Sequence, residues 1–324
     1  MTLAEIASLT EKIRKLKRER NALIIAHNYQ LGEVQDIADY VGDSLELSQT
    51  AARSTAEVIV FCGVRFMAET AAILCPERVV LLPDTNSGCL LADMITAEQL
   101  KQREKELPQA TVVCYVNSPA EVKAEADICC TSANAVSIAE SLDNDEILFV
   151  PDQNLGHYVS TRTDKHLILW PGYCPTHTRI RPEDILRLKG EYCGAKVVVH
   201  PECRPEVIAL ADEALGTGGM VRYARRDDVK ELIVGTEIGI IHRLRKENPE
   251  KRFIPVSEQA ICPDMKLIRL EKVLQSLEEM EPRVKLPDTI RDKARTAIDR
   301  MLAIPLGGDS HGGVAGKKLP SVRR

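Results

Sequence analysis

Short unbroken apolar runs alternate along the chain with stretches in which apolar residues return every three or four positions. Residues 3–20 place Leu3, Ile6, Leu9, Ile13 and Leu16 on one side of a helix, with lysines and arginines opposite. Residues 22–26 form a continuous apolar run, the mark of a buried strand. A helical stretch over 35–40 is broken by Gly42-Asp43-Ser44, and a second helix over 45–53 takes Ser44 as its N-cap. Strand 58–61, helix 67–74 and strand 79–82 complete a first unit. The order returns as strand 112–116, helix 120–126, a short strand ending near Cys129, a helix from Ser132, and strands 147–150 and 166–170. It returns again as strand 197–199, helices over 207–211 and from Thr217, strand 232–234, helix 238–245 and strand 253–254. Such alternation predicts parallel strands joined by crossover helices.

The repetition is metric as well as qualitative. In each unit an apolar run stops near a proline and a cysteine closes the loop that follows. Those cysteines, Cys89, Cys174 and Cys262, stand 85 and 88 residues apart. The hydroxyls Ser44, Ser132 and Thr217 keep the same period, at 88 and 85 residues. An internal repeat follows. The units span 21–108, 109–190 and 191–275, preceded by a helix over 1–20 and followed by closing helices over 276–303 and a mobile tail over 304–324. The expected fold class is α/β, three homologous α/β/α domains with short parallel sheets.

Three units agree with a length of 324 residues. A formal charge of -5 speaks against general nucleic-acid binding. Glu5, Glu11, Lys12 and Arg14 interrupt the first helix, so it does not read as a secretory leader, and no run reaches membrane-spanning length. Ten cysteines without extracellular-type spacing read as reduced thiols. The expectation is a soluble cytoplasmic protein without membrane or nucleic-acid partners.

In parallel sheets ligands sit beyond the carboxyl ends of the strands. His27, Tyr29, Tyr115, Asn117, His200 and Glu202 fall there, as do the three phased cysteines. If the units close around a pseudo-threefold axis, each brings one thiol and one polar set to a shared centre. Three thiolates with an open fourth position suit a zinc ion or one iron-sulfur cluster. Most free cysteines are small buried hydrophobes, and Cys62, Cys75, Cys114, Cys129, Cys130 and Cys193 fit that description. A lone Ser or Thr at a helix start is usually only a cap, yet a helix start beyond strand ends also binds anions. Three hydroxyls in phase favour the second role. His177, three residues beyond Cys174, joins the candidates because it too lies in a strand-end loop.

The motifs IIAHNYQ, VGDSLELS, FCGVRFMAETAAIL, LLPDTNSGC, YVNS, CCTSANA, PDQNLG, WPGYCPTH, HPEC, TEIGIIHRL and AICPDMK resemble, in order and over almost the whole chain, the quinolinate synthase family of NAD biosynthesis. The resemblance implies three similar domains around a pseudo-threefold axis and one [4Fe-4S] cluster held by Cys89, Cys174 and Cys262. It implies condensation of iminoaspartate with dihydroxyacetone phosphate to quinolinate, phosphate and two waters. Substrate contacts would be His27, Ser44, Tyr115, Val116, Asn117, Ser132, His200, Pro201, Glu202 and Thr217, with Tyr29, His177 and Glu202 moving protons. An aspartate oxidase or dehydrogenase would supply the imine. The family's usual Gly-Ser-Thr is replaced here by Leu215-Gly216-Thr217-Gly218, and the C-x-x-C pair near the C-terminus of some members is missing. Two rival readings are an aconitase-like hydro-lyase and a non-catalytic metal-binding or redox-sensing protein.

Overall fold

The computed structural model describes residues 1–304. Among the described residues twelve strands form three separate four-stranded sheets in which every strand pairing is parallel. The first contains β1 (Ala22–His27), β2 (Tyr40–Gly42), β3 (Val58–Cys62) and β4 (Val79–Leu81). The second contains β5 (Thr111–Tyr115), β6 (Ile128–Cys130), β7 (Glu146–Val150) and β8 (His166–Leu169). The third contains β9 (Lys196–Val199), β10 (Glu213–Ala214), β11 (Glu231–Gly235) and β12 (Arg252–Pro255). In all three the first strand lies between the second and third, and the fourth closes the edge. The protein is therefore α/β, with three repeated α/β units.

The repeat extends to a residue the sequence reading passed over. Asp39, Asp127 and Asp212 each lie just beyond the helix after their unit's first strand, and each turns a carboxylate back to that strand. They accept the main-chain N–H of Ile24, Val112 and Val197 at 2.9, 2.9 and 2.8 Å. Each bond ties the loop before the unit's second strand to its first strand, and so sets the start of the parallel pairing.

The strands are almost wholly apolar because helices or neighbouring units cover both faces, as parallel sheets require. One continuous core runs through the first two sheets and one face of the third. A smaller cluster lies behind the third sheet, and β9 divides between them: Val198 faces the main core while Val197 and Val199 face the smaller one. The helix Leu3–Glu19 packs on Leu270–Glu279, and Asp288–Ala303 packs on β6 and on the helix Ala120–Lys123.

Several local expectations need correction. Ser44 is not the N-cap: Asp43 is, in a reciprocal capping box with Glu46, and Ser44 is the first residue of the helix Ser44–Arg53. The stretch over 35–40 divides into the helix Gly32–Ile37 and β2, which begins at Tyr40. The helix expected from Ser132 starts at Ala135, leaving Ser132 in the preceding turn. The helix Gln153–Ser160, capped by Asp152, was not foreseen, and neither was β10. Second strands of two or three residues are too short to leave a period of two. The expected tail over 304–324 lies, beyond Ile304, outside the described residues. Among the described residues no helix is long and apolar enough to cross a membrane.

Candidate active site

The carboxyl ends of the first strands of all three sheets open on one cavity. His27 ends β1, Tyr115 ends β5 and His200 follows β9, so equivalent positions in the three units supply its polar floor. Tyr29, Ser44, Asn117, Ser132, His177, Glu202 and Thr217 also line it, together with Cys89, Cys174 and Cys262. Of the residues singled out from sequence, Val116 and Pro201 do not. Both are buried: the Val116 amide donates to the Cys130 carbonyl at 2.9 Å, and Pro201 carries the chain from His200 to Glu202. Val64, Phe66, Met67 and Met265 provide an apolar wall that no polar motif announced.

Two of the histidines are held by the same local device. The amide of Tyr29 donates to His27 Nδ1 at 3.2 Å, and the amide of Glu202 donates to His200 Nδ1 at 3.3 Å. A ring nitrogen that accepts is unprotonated, so both imidazoles carry their hydrogen on Nε2 when neutral. Burial, reinforced by neighbouring histidines, lowers both to about 3 against the pull of Glu202. They are neutral N–H donors at ordinary pH.

Glu202 occupies the centre of a buried network. His177 Nδ1 lies 2.7 Å from its Oε2 and Asn117 Nδ2 donates to Oε1 at 3.2 Å, while His200 Nδ1, itself an acceptor, stands 3.5 Å from Oε2 without a hydrogen bond to it. The Tyr115 hydroxyl also bonds the carboxylate. Burial alone would raise this carboxyl, but the facing histidines outweigh it and hold it down, at about 2. On its other side His177 Nε2 is 2.8 Å from Thr236 Oγ1, which lies 2.5 Å from the Tyr29 hydroxyl. Tyr29, Thr236, His177 and Glu202 thus form a continuous hydrogen-bonded chain. Burial first, then the negative charge of Glu202, raises the Tyr29 phenol well above its ordinary value, so it stays protonated.

The sequence reading missed Thr236, Glu237 and Lys266. Glu237 is fully buried, accepts the amides of Gly239 at 2.7 Å and Cys262 at 3.2 Å, and pairs with Lys266 Nζ at 2.8 Å. Lys266 also donates to the Tyr29 carbonyl. This group fixes the loop that carries Cys262 to the loop that carries Tyr29. Their signal in the sequence was membership of the TEIGIIHRL and AICPDMK motifs, where they show no period.

Chemistry at the thiols tests whether a metal group fits. Burial pushes Cys89 and Cys174 well up and Cys262 to about 11, so bare thiols here would be protonated. Each sulfur nevertheless receives main-chain N–H groups from the turn that follows: Leu91 and Ala92 for Cys89, His177 for Cys174, Asp264 and Met265 for Cys262. Amides aimed at sulfur stabilise thiolate and are one of the levers a protein applies to an iron-sulfur group. All ten cysteines are free of disulfides. Among the described residues the group compact enough for a single ion is Cys174, His177 and Glu202, whose ligand atoms lie within 4.8 Å of one another, and not the three cysteines. The three thiols line the same cavity without forming a group that compact.

A polar cavity at the strand ends of three parallel-sheet units, with neutral histidines, a buried carboxylate and a compact Cys174, His177 and Glu202 group that could hold a metal ion, has the make-up of an enzyme active site. The family model described as NadA, quinolinate synthetase A protein, matches residues 11–303. A quinolinate synthase of Dehalococcoides mccartyi (strain CBDB1) is 64% identical over 296 residues, 91% of this chain and 98% of the relative. One from Methanosarcina barkeri is 54% identical over 300 residues, 93% and 99% of the two chains. One from Geobacter metallireducens is 52% identical over 298 residues, 92% and 98%. The chain belongs to the quinolinate synthetase A family, and it is an enzyme.

Proposed function

We propose that this chain condenses iminoaspartate with dihydroxyacetone phosphate, yielding quinolinate, inorganic phosphate and two waters, in the cytoplasm. The observation that carries the proposal is the convergence of one amide-supported thiol from each unit on a cavity already lined by donors for anions. Cys89, Cys174 and Cys262 would hold a [4Fe-4S] cluster with one iron left open. When bound, that iron supplies Lewis acidity toward a substrate hydroxyl or carboxylate, which suits dehydration.

The protein's own groups account for the rest. Neutral Nε2–H groups of His27 and His200 and the hydroxyls of Ser44, Ser132 and Thr217 donate to carboxylate and phosphate oxygens. Asn117 and Tyr115 orient Glu202, which accepts a proton from the carbon that becomes nucleophilic. His177 is placed to take that proton onward, and the Tyr29 phenol, protonated and tied to His177 through Thr236, is placed to return one to a departing hydroxyl. Phe66, Met67 and Met265 limit water. An aspartate oxidase or dehydrogenase is the class of enzyme that would supply the imine.

Anaerobic purification with iron, sulfide and zinc analysis tests the cofactor. About four irons and four sulfides per chain are expected, and one zinc without sulfide would favour the compact Cys174–His177–Glu202 group instead. Serine at any one of Cys89, Cys174 or Cys262 should bleach the cluster absorbance and abolish quinolinate formation from the two substrates. Cys62→Ser, in a thiol raised to about 12 by burial within β3, should do neither.

A further inference from the structure

We infer that Asn28 and Arg243, neither of which lines the cavity, fix the direction in which the Thr217 hydroxyl donates and thereby set the cavity's affinity for an anionic substrate group. The inference rests on the proposed reading of the cavity as the substrate site and adds two positioning residues to it.

Asn28 follows His27 at the end of β1 and is fully buried. Its amide donates to the Gly42 carbonyl at 3.1 Å, which holds its main chain in place. Arg243 lies on the helix Ile240–Glu247 of the third unit. Its Nη1 donates to Asn28 Oδ1 at 2.8 Å and to the Val41 carbonyl at 2.7 Å, while Nε is held by Glu247 Oε1 at 2.7 Å. A guanidinium has no acceptor, so the atom of Asn28 that faces it must be the oxygen. The amide orientation is thereby decided, and the Asn28 NH2 group faces Thr217.

That NH2 group donates to Thr217 Oγ1 at 2.9 Å across 189 residues of chain. A hydroxyl that accepts still has one hydrogen to give. Among the described residues no hydrogen bond carries the Thr217 hydrogen to a protein acceptor, and Thr217 lines the cavity as the first residue of the helix Thr217–Ala224. Its hydrogen is left for the cavity's occupant. The relay from Arg243 through Asn28 to Thr217 makes this hydroxyl a donor to carboxylate or phosphate oxygen, and a poor partner for a ligand N–H or O–H.

The isosteric substitution Asn28→Asp reverses the last link. An aspartate at 28 would accept from both Arg243 and Thr217, turning the Thr217 hydrogen away from the ligand. Binding of succinate and of inorganic phosphate would be measured by calorimetry on anaerobically purified holoenzyme, beside thermal unfolding. Loss of one hydroxyl donor to an anion predicts affinity for one of the two probes weaker by about 10- to 100-fold, with no fall in melting temperature because Arg243 faces the new carboxylate. In a Thr217→Val background the same substitution should change affinity by less than about 3-fold, since no hydroxyl remains to reverse. Thr217→Ser, which keeps the hydroxyl, should stay near wild type. Equal weakening by Asn28→Asp with and without the threonine would show simple charge repulsion and overturn the relay, as would unchanged affinity or an unfolded Asn28→Asp protein. Failure of the wild type to bind either probe would overturn the reading of the cavity itself.

Discussion

Lys123 is fully buried, and its removal is the sharpest stability test the molecule offers. Nζ donates to the Ser118 carbonyl at 2.6 Å and to the Phe66 carbonyl at 3.5 Å, and sits 5.4 Å from the centroid of the Phe66 ring. Its charge is set against Glu69 of the first unit, whose Oε2 accepts the Ala120 amide at 3.0 Å. Lys123→Met keeps the length and the apolar stem but takes the donor from the Ser118 carbonyl and the facing positive charge from the buried Glu69 carboxylate, while the Phe66 carbonyl keeps the Thr70 hydroxyl at 2.8 Å. An orphaned buried acceptor costs about 1–3 kcal/mol and a broken buried pair about 3–5 kcal/mol. Because these losses overlap, the expected total is about 3–5 kcal/mol. Burial already raises the Glu69 carboxyl, and without the ammonium it rises further. A folded pKa above the unfolded value contributes stability below the unfolded value and loses it as pH rises through the folded one. The defect should therefore be smaller near pH 5 than near pH 8. Chemical denaturation at both pH values, with Glu69→Gln and the double variant, completes the cycle, and the double variant should recover about 2 kcal/mol relative to additivity. A Lys123→Met protein within about 1 kcal/mol of wild type, or a strictly additive double variant, would refute the reasoning.

The three aspartates that clasp their first strands give an internal replicate: Asp39→Ala, Asp127→Ala and Asp212→Ala should each cost about 1–2 kcal/mol in denaturant titrations, and one costing nothing would break the equivalence. At Gly239 an added Cβ would lie 2.6 Å from the Tyr29 carbonyl oxygen, so Gly239→Ala must displace the loop bearing Tyr29. A fall of at least about 10-fold in kcat is expected there, with retained iron content, and normal turnover would show the loop to be tolerant. Glu202→Gln should keep its cluster absorbance yet lose about 100-fold or more in kcat, whereas near-normal turnover would remove the residue from proton transfer.

Much of the architecture could be read because it is written three times. Cys89, Cys174 and Cys262 are unremarkable singly, and their period lifted them above the other seven thiols. The first strands were also plain, being apolar on both faces. What escaped was of two kinds. Strands such as β10, with two residues, are fixed by their pairing to β9 and carry no pattern of their own. Capping depends on geometry rather than composition: Asp43 and Ser44 are equally good caps by type, and the reciprocal bond to Glu46 decides for Asp43. Thr236 and Lys266 break the period, since each belongs to the third unit and bonds Tyr29 of the first, and Glu237 holds Lys266 in place from within the third. Gly216 shows why a departure can be silent. It is the N-cap of its helix, and a Cβ there would come within 2.9 Å of Ser132 Oγ, so the hydroxyl of the second unit already fills the adjoining space.

The division of labour among the repeats explains why none of them carries a site alone. Tyr29 comes from the first unit, His177 from the second and Glu202 from the third, just as the thiols do. His177 joins the two sets: Nδ1 lies 3.1 Å from Cys174 Sγ and 2.7 Å from Glu202, and Nε2 reaches Thr236 and through it Tyr29. One imidazole therefore couples whatever the thiols hold to the carboxylate and the phenol. A shift of one unit against the others by a single ångström would open these bonds while leaving each sheet intact, because the sheets share no strand pairing. Ties between units then bear directly on chemistry. Arg243 to Asn28, Lys266 to the Tyr29 carbonyl and the Ala120 amide to Glu69 are polar, buried or half-buried, and each spans two units. Apolar packing could hold three sheets together with some freedom of register, whereas directional bonds between charged or amide groups fix their relative placement.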